Sequence, residues 1–158
     1  AKSLRGAVNN EKEGREGMAL GQYIAGQGFS NVGLGIVHSM AHGLGALYDT
    51  PHGVANALLL PTIMEFNMPT RIEKYGIIAQ HMGVDTTGMT PEEAAQAAVD
   101  AVRELSIRVG IPQHLSEIGI TEADIPALAA QAITDVCTPG NPRDVTEAEI
   151  IELYKKVL

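Results

Sequence analysis

Apolar residues along this chain recur at spacings of three and four, and nowhere alternate over a sustained stretch. That pattern predicts helices and no sheet. The clearest stripe is Ala94, Ala98, Val102, Leu105 and Val109. It opens on Thr90-Pro91-Glu92-Glu93. Thr90 reads as N-cap, Pro91 as the first helical residue, and Glu93 as the acid that completes a capping box. Gly110-Ile111-Pro112 stops the stripe. A second capping box, Thr146-Glu147-Ala148-Glu149, opens a last helix running to Leu158. Thr121 to Thr134 predicts another, capped by Thr121 or Asp124, with Pro126 in its first turns. Pro69 to Met82 is amphipathic, with Arg71, Glu73 and Lys74 outward and His81 at its end, where an imidazolium suits the helix dipole. Val54 to Asn67 is apolar nearly all round, the mark of a buried central helix, and Pro61 inside it should kink or break it.

The N-terminal third is less regular. Ala1 to Asn10 reads as a helix tail and Lys12 to Arg15 as a solvated surface. Met18, Leu20, Ile24 and Phe29 are then interleaved with Gly17, Gly21, Gly26 and Gly28. Each glycine costs about 1 kcal/mol in a helix interior relative to alanine, which close packing could offset. The expected architecture is all-α, an irregular domain of about seven to nine helices with no fixed-period repeat.

At 158 residues the chain is one domain's worth. A formal charge of −8 argues against nucleic acid and anionic membranes as partners. Cys137 is the single cysteine, which excludes an internal disulfide and fits a reducing compartment. The opening AKSLRG has no apolar region behind it, so no signal peptide is expected. The longest apolar run, Val54 to Met64, is interrupted by Asn56, Pro61 and Thr62 and is too short to span a bilayer. A cytoplasmic protein is expected.

Chemistry concentrates between Gly33 and Pro61, GLGIVHSMAHGLGALYDTPHGVANALLLP. This stretch holds three of the five histidines, with Asp49 its only acid and no Lys or Arg. His38 and His42 are four apart, so on a helix they share a face and form a workable metal-ligand pair. Ser39 stands where a zinc protease needs glutamate, so that chemistry is not expected. His52 is fourteen residues beyond His38, about 21 Å along a straight helix. The two can converge only if the chain reverses. Gly43 and Gly45 loosen the helix, and Asp49-Thr50-Pro51 is a turn signal. The reading is a helix from about Asn31 to Ala46, a return, and a second helix from near His52. His114 is placed in a solvated loop. Asp135 to Arg143, with two prolines and a glycine, is an irregular loop. In it Cys137 reads as a small buried hydrophobe near a pocket, not a nucleophile. Phe29, one of two phenylalanines, is a second candidate for pocket lining.

The histidine stretch, the preceding MALGQYIAGQGFSNVGLGIVHSMAH block and the later VCTPGNPRDVTEAEIIELY resemble the iron-containing alcohol dehydrogenases over nearly the whole chain. The resemblance implies the C-terminal helical half of a two-domain dehydrogenase. The first His of the HxxxH pair and the His of the PHG turn would bind a divalent metal; here these are His38 and His52. His42 would lie beside the site without ligating. Its two expected roles are proton supply to the substrate oxygen, for which an imidazole is suited, or packing. The remaining ligands, an Asp and a His, would lie upstream, and residues 1–30 contain neither. The implied cofactors are Fe2+ and, in the intact enzyme, NAD; imidazole ligands suit Zn2+ as well. Implied partners are a small alcohol or aldehyde, the chain's own N-terminal nucleotide-binding domain and further copies in a homo-oligomer. No Gly-rich turn follows an apolar strand, so that nucleotide-binding domain is expected outside these residues. The alternative of another class is a stand-alone helical metal-binding or interaction module.

Overall fold

The computed structural model describes residues 2–158; Ala1, the first residue of the expected helix tail, lies outside them. Among the described residues there are eight α-helices and no strand. They are α1 (Leu4–Val8), α2 (Lys12–Val32), α3 (Ile36–Tyr48), α4 (His52–Asn67), α5 (Ile72–His81), α6 (Pro91–Arg108), α7 (Ile125–Ile133) and α8 (Glu147–Lys156). None is long and apolar enough to cross a membrane.

The main core joins α3, α4, α7 and α8. Ile36, Met40, Leu44, Leu59, Ile63, Leu128 and Ile150 are fully or almost fully buried there. Burial of such aliphatic side chains contributes about 1.5–3 kcal/mol each. Tyr154 lies in the same core, and its hydroxyl donates to the Met40 carbonyl at 2.8 Å. That bond ties α8 to α3. Burial raises the Tyr154 phenol far above its ordinary range, so it stays a donor. A second cluster joins α4, α5 and α6 through Met64, Tyr75, Ala79, Ala95, Ala98 and Val99.

Several boundaries differ from the sequence reading. Lys12 to Val32 is one continuous helix despite its glycines. Close packing accounts for Gly17, where a Cβ would meet Ser3, but not for Gly21 or Gly28, which have open space. The helix read from Asn31 begins instead at Ile36, because Gly33 turns the chain with φ of 81°. Only glycine adopts that angle readily. Pro61 does not break α4, which runs through it. Proline removes one backbone donor, and the buried Leu58, Leu59, Ile63 and Met64 around it hold the segment in place. Pro69 sits in a 3-10 turn, so α5 starts at Ile72. Likewise the Thr121–Asp124 capping pair closes a 3-10 turn, and α7 starts at Ile125.

Candidate metal centre

The turn after α2 places His38 in the first turn of α3, with His42 one turn further on. Asp49 then adopts a left-handed conformation with φ of 53°, and the Thr50 N–H donates back to the Leu44 carbonyl at 3.3 Å. Pro51 caps α4, so His52 is its first residue. The reversal required by the fourteen-residue spacing is thereby made. The ring centroids of His38 and His52 lie 5.4 Å apart, those of His42 and His52 5.6 Å, and those of His38 and His42 6.2 Å.

These rings affect one another. Burial, then the charges of His52 and His42, hold the His38 pKa below its ordinary value, against an opposing pull from Asp135. A neutral imidazole is the form that ligates a metal. The depressed value also sets a pH dependence. Unfolding restores His38 to about 6.5, so below that pH the unfolded chain binds more protons. The contribution to stability is fully present above about 6.5 and is lost as pH falls through the lower folded value. We expect the metal-free chain to unfold at lower urea as pH is taken from about 7.5 to about 5.5, and His38→Asn to reduce that loss. An unchanged difference in His38→Asn would show that this ring is not its source.

Asp135 was not singled out by the sequence. It lies 93 residues from His42, yet its Oδ2 is 2.8 Å from His42 Nδ1. Its Oδ1 accepts from the Cys137 backbone N–H at 2.8 Å. Burial alone would raise the Asp135 carboxyl, but the Cys137 N–H and His42 outweigh it, so the pKa lies below the usual carboxylate value. Cys137 is buried in the same loop, and burial, then Asp135, raise its thiol. A thiol so placed is a poor nucleophile. The side-chain ligand atoms of His42, Asp135 and Cys137 all lie within 4.8 Å of one another. This nitrogen, oxygen and sulfur group is separate from the His38–His52 pair and meets it through His42.

The loop is fastened on three sides. Thr138 Oγ1 donates to the Ala132 carbonyl at 2.6 Å and lies 2.7 Å from Ser39 Oγ on α3. Asn141 and Asn67 exchange two amide hydrogen bonds at 2.8 and 2.9 Å. Arg143 donates to the Phe66 carbonyl at 3.1 Å and lies over the Phe66 ring.

A cavity of about 620 Å³ opens beside His38, walled by Val32, Gly35, Val37, Asn56 and Asn141. Neither Phe29 nor Cys137 lines it. Phe29 is half-exposed on α2, at 48%. A larger cavity of about 740 Å³ lies between the α1–α2 and α5–α6 pairs. It contains none of the clustered histidines, and its wall mixes Lys2, Arg5 and Arg108 with Glu11 and Glu104. The histidine cluster adjoins the smaller one, through His38. His81 and His114 are exposed and take no part in the cluster.

The donor set fits a late first-row divalent metal. Imidazole suits iron, zinc, copper and nickel, and no cationic side chain lies in the stretch that bears the rings. Asn56 Nδ2 lies 3.1 Å from His52 Nε2, while its buried Oδ1 has no partner among the described residues. Polar capacity thus remains beside the rings. Two imidazoles fall short of the four ligands usual in such sites.

Taken together, these features define a helical domain that gathers three imidazoles from a helix pair and a tight turn. The model of the Fe-containing alcohol dehydrogenase family, C-terminal, matches residues 1–158, and the chain belongs to that family. It is 59% identical over 154 residues to lactaldehyde reductase of Escherichia coli K12, covering 98% of this chain and 40% of that protein. It is 45% identical over 158 residues to 1,3-propanediol dehydrogenase of Citrobacter freundii, covering 99% and 41%. The solved alcohol dehydrogenase from Oenococcus oeni superposes with a TM-score of 0.95 at 37% identity, over 99% of this chain and 42% of that one. The chain therefore spans about 40% of the length of the curated relatives it matches.

Proposed function

We propose that this chain is the metal-binding domain of an NAD-dependent, iron-activated alcohol dehydrogenase that interconverts lactaldehyde and 1,2-propanediol. The convergence of His38, His42 and His52 within a chain of this family carries the reading. His38 and His52 would hold the divalent ion, with an Asp and a His from outside these residues completing its ligands. When bound, such an ion supplies Lewis acidity to a carbonyl or alkoxide oxygen; the nicotinamide supplies hydride chemistry. The residues of this chain do the rest. Burial and its neighbours keep His38 in the neutral, ligating form. His42 handles the proton that carbonyl reduction consumes and alcohol oxidation releases. The cavity beside His38 faces the substrate, and the nucleotide-binding domain of the same protein closes over it, as expected of a cleft site. The similarity to a lactaldehyde reductase supports lactaldehyde over 1,3-propanediol, butanol or ethanol. A cytoplasmic homo-oligomer is the setting we propose for the intact enzyme.

Turnover of a panel of small aldehydes by the full-length, iron-loaded protein tests this. We expect NADH oxidation with lactaldehyde to give the highest kcat/KM, and the 158-residue chain by itself to give none. Preference for another member of the panel removes the substrate assignment. No turnover of any of them removes the function.

A further inference from the structure

We propose that Asp135 is a positioning residue: it fixes the His42 ring with its proton on Nδ1, leaving Nε2 as the nitrogen that exchanges a proton with substrate. The inference rests on the reading of His42 as the proton-handling group. An ionised carboxylate only accepts hydrogen bonds. With Asp135 Oδ2 at 2.8 Å from Nδ1, the neutral imidazole must carry its hydrogen on that nitrogen. The carboxylate is itself held. Its Oδ1 accepts from the Cys137 N–H at 2.8 Å, and Asp135 is only 14% exposed at its side chain. Thr138, the residue after Cys137, is itself anchored to Ala132 on α7 and to Ser39 on α3, one turn of helix from His42. Asp135 is therefore set in place by the protein and in turn sets the ring. Its preference for the ionised state agrees with this.

The same three groups could instead be read as a cation site with Cys137 as third ligand. The hydrogen bonds go against it: both Asp135 oxygens are already occupied, one by the Cys137 N–H and one by the His42 ring, whose Nδ1 faces the carboxylate as a donor and so offers it no free ligand pair.

Asp135→Asn gives a sharp test, because the Cys137 N–H determines which way the new amide faces. That N–H requires the amide oxygen, which turns the NH2 group towards His42 Nδ1. The ring must then accept at Nδ1 and carry its hydrogen on Nε2. Nitrogen-15 NMR of histidine-labelled, zinc-loaded full-length protein should show His42 protonated at Nδ1 in the wild type and at Nε2 in Asp135→Asn. Kinetics of the iron-loaded variant should show kcat lowered on the order of a hundredfold or more, with KM and metal content unchanged, as expected for a general acid–base ring in the wrong tautomer. A wild-type His42 protonated at Nε2 overturns the proposal without any variant. So does an Asp135→Asn ring that stays protonated at Nδ1. An inverted ring with unchanged kcat keeps the tautomer assignment and instead overturns the proton-handling reading of His42.

Discussion

His38→Ala and His52→Ala in the full-length enzyme should each strip the metal and lower kcat/KM by on the order of a hundredfold or more. Groups that merely orient metal ligands typically cost 10–100-fold in affinity or activity when removed, so loss of a ligand should cost at least that. The two rings are the closest pair in the cluster, at 5.4 Å between centroids, and they come from different helices. A metal between them would link the start of α3 to the start of α4. His42→Ala should behave differently. It should retain near-normal metal while kcat falls by about 10²–10⁴, the range for a lost general acid–base group. Metal analysis of the purified variants, alongside steady-state kinetics, separates the roles. If His42→Ala loses metal as thoroughly as the other two, His42 is a ligand and the assignment of His38 and His52 as the pair fails. If it alters neither metal nor rate, it is a packing histidine.

Gly140→Ala should be among the most damaging single substitutions outside the histidines. A Cβ at Gly140 would overlap the carbonyl oxygen of Leu34, a backbone atom that cannot turn aside. Leu34 and Gly35 lead directly into α3, whose first N–H, that of Ile36, faces Asn141 Oδ1 at 3.5 Å. Relief of the overlap must therefore move either the loop or the start of the helix that carries His38. Overpacking of this kind costs about 1–3 kcal/mol, and a clash with backbone belongs at the upper end. Urea unfolding should show a clear fall in midpoint, with reduced metal affinity in the full-length protein. Gly21→Ala is the control: it lies in α2 with open space around it, and should stabilise by up to about 1 kcal/mol. Equal midpoints for Gly140→Ala and wild type would show that the Leu34 contact does not set the loop.

What could be read from the residues was what is local. The Thr90–Glu93 and Thr146–Glu149 boxes close within one helical turn, and both form with hydrogen bonds in each direction. The stripe from Ala94 to Leu105 lies on the inward face of α6, with Ala94 and Ala98 buried. The Asp49-Thr50-Pro51 turn was equally plain and makes a meeting of His38 with His52 possible, whereas their pairing as ligands is implied only by the family resemblance. The start of α3 was missed because a helical apolar pattern continues across Gly33, and only its φ of 81° shows the break. The continuity of α2 is not legible in its residues, because a charged opening and costly glycines give no clear helical stripe, yet the helix tolerates them. Asp135 was hidden by distance. Nothing in DVCTPGNPR announces a partner 93 residues upstream; the one available hint was an acid opening a proline-rich loop with no cation beside it until Arg143.

The separation of these groups along the chain has a consequence for how the centre is assembled. His38, His42 and His52 fall within fifteen residues, joined by one helix and one turn. The contacts that complete the surroundings, His42 with Asp135 and Ile36 with Asn141, span 93 and 105 residues. Closing such long loops costs more chain entropy, and contacts of that range form late in folding. During synthesis the imidazole cluster leaves the ribosome well before the loop that orients it. The gathering of the three imidazoles and the docking of Asp135 against His42 are thus separate events in the life of each newly made chain, and the first can precede the second.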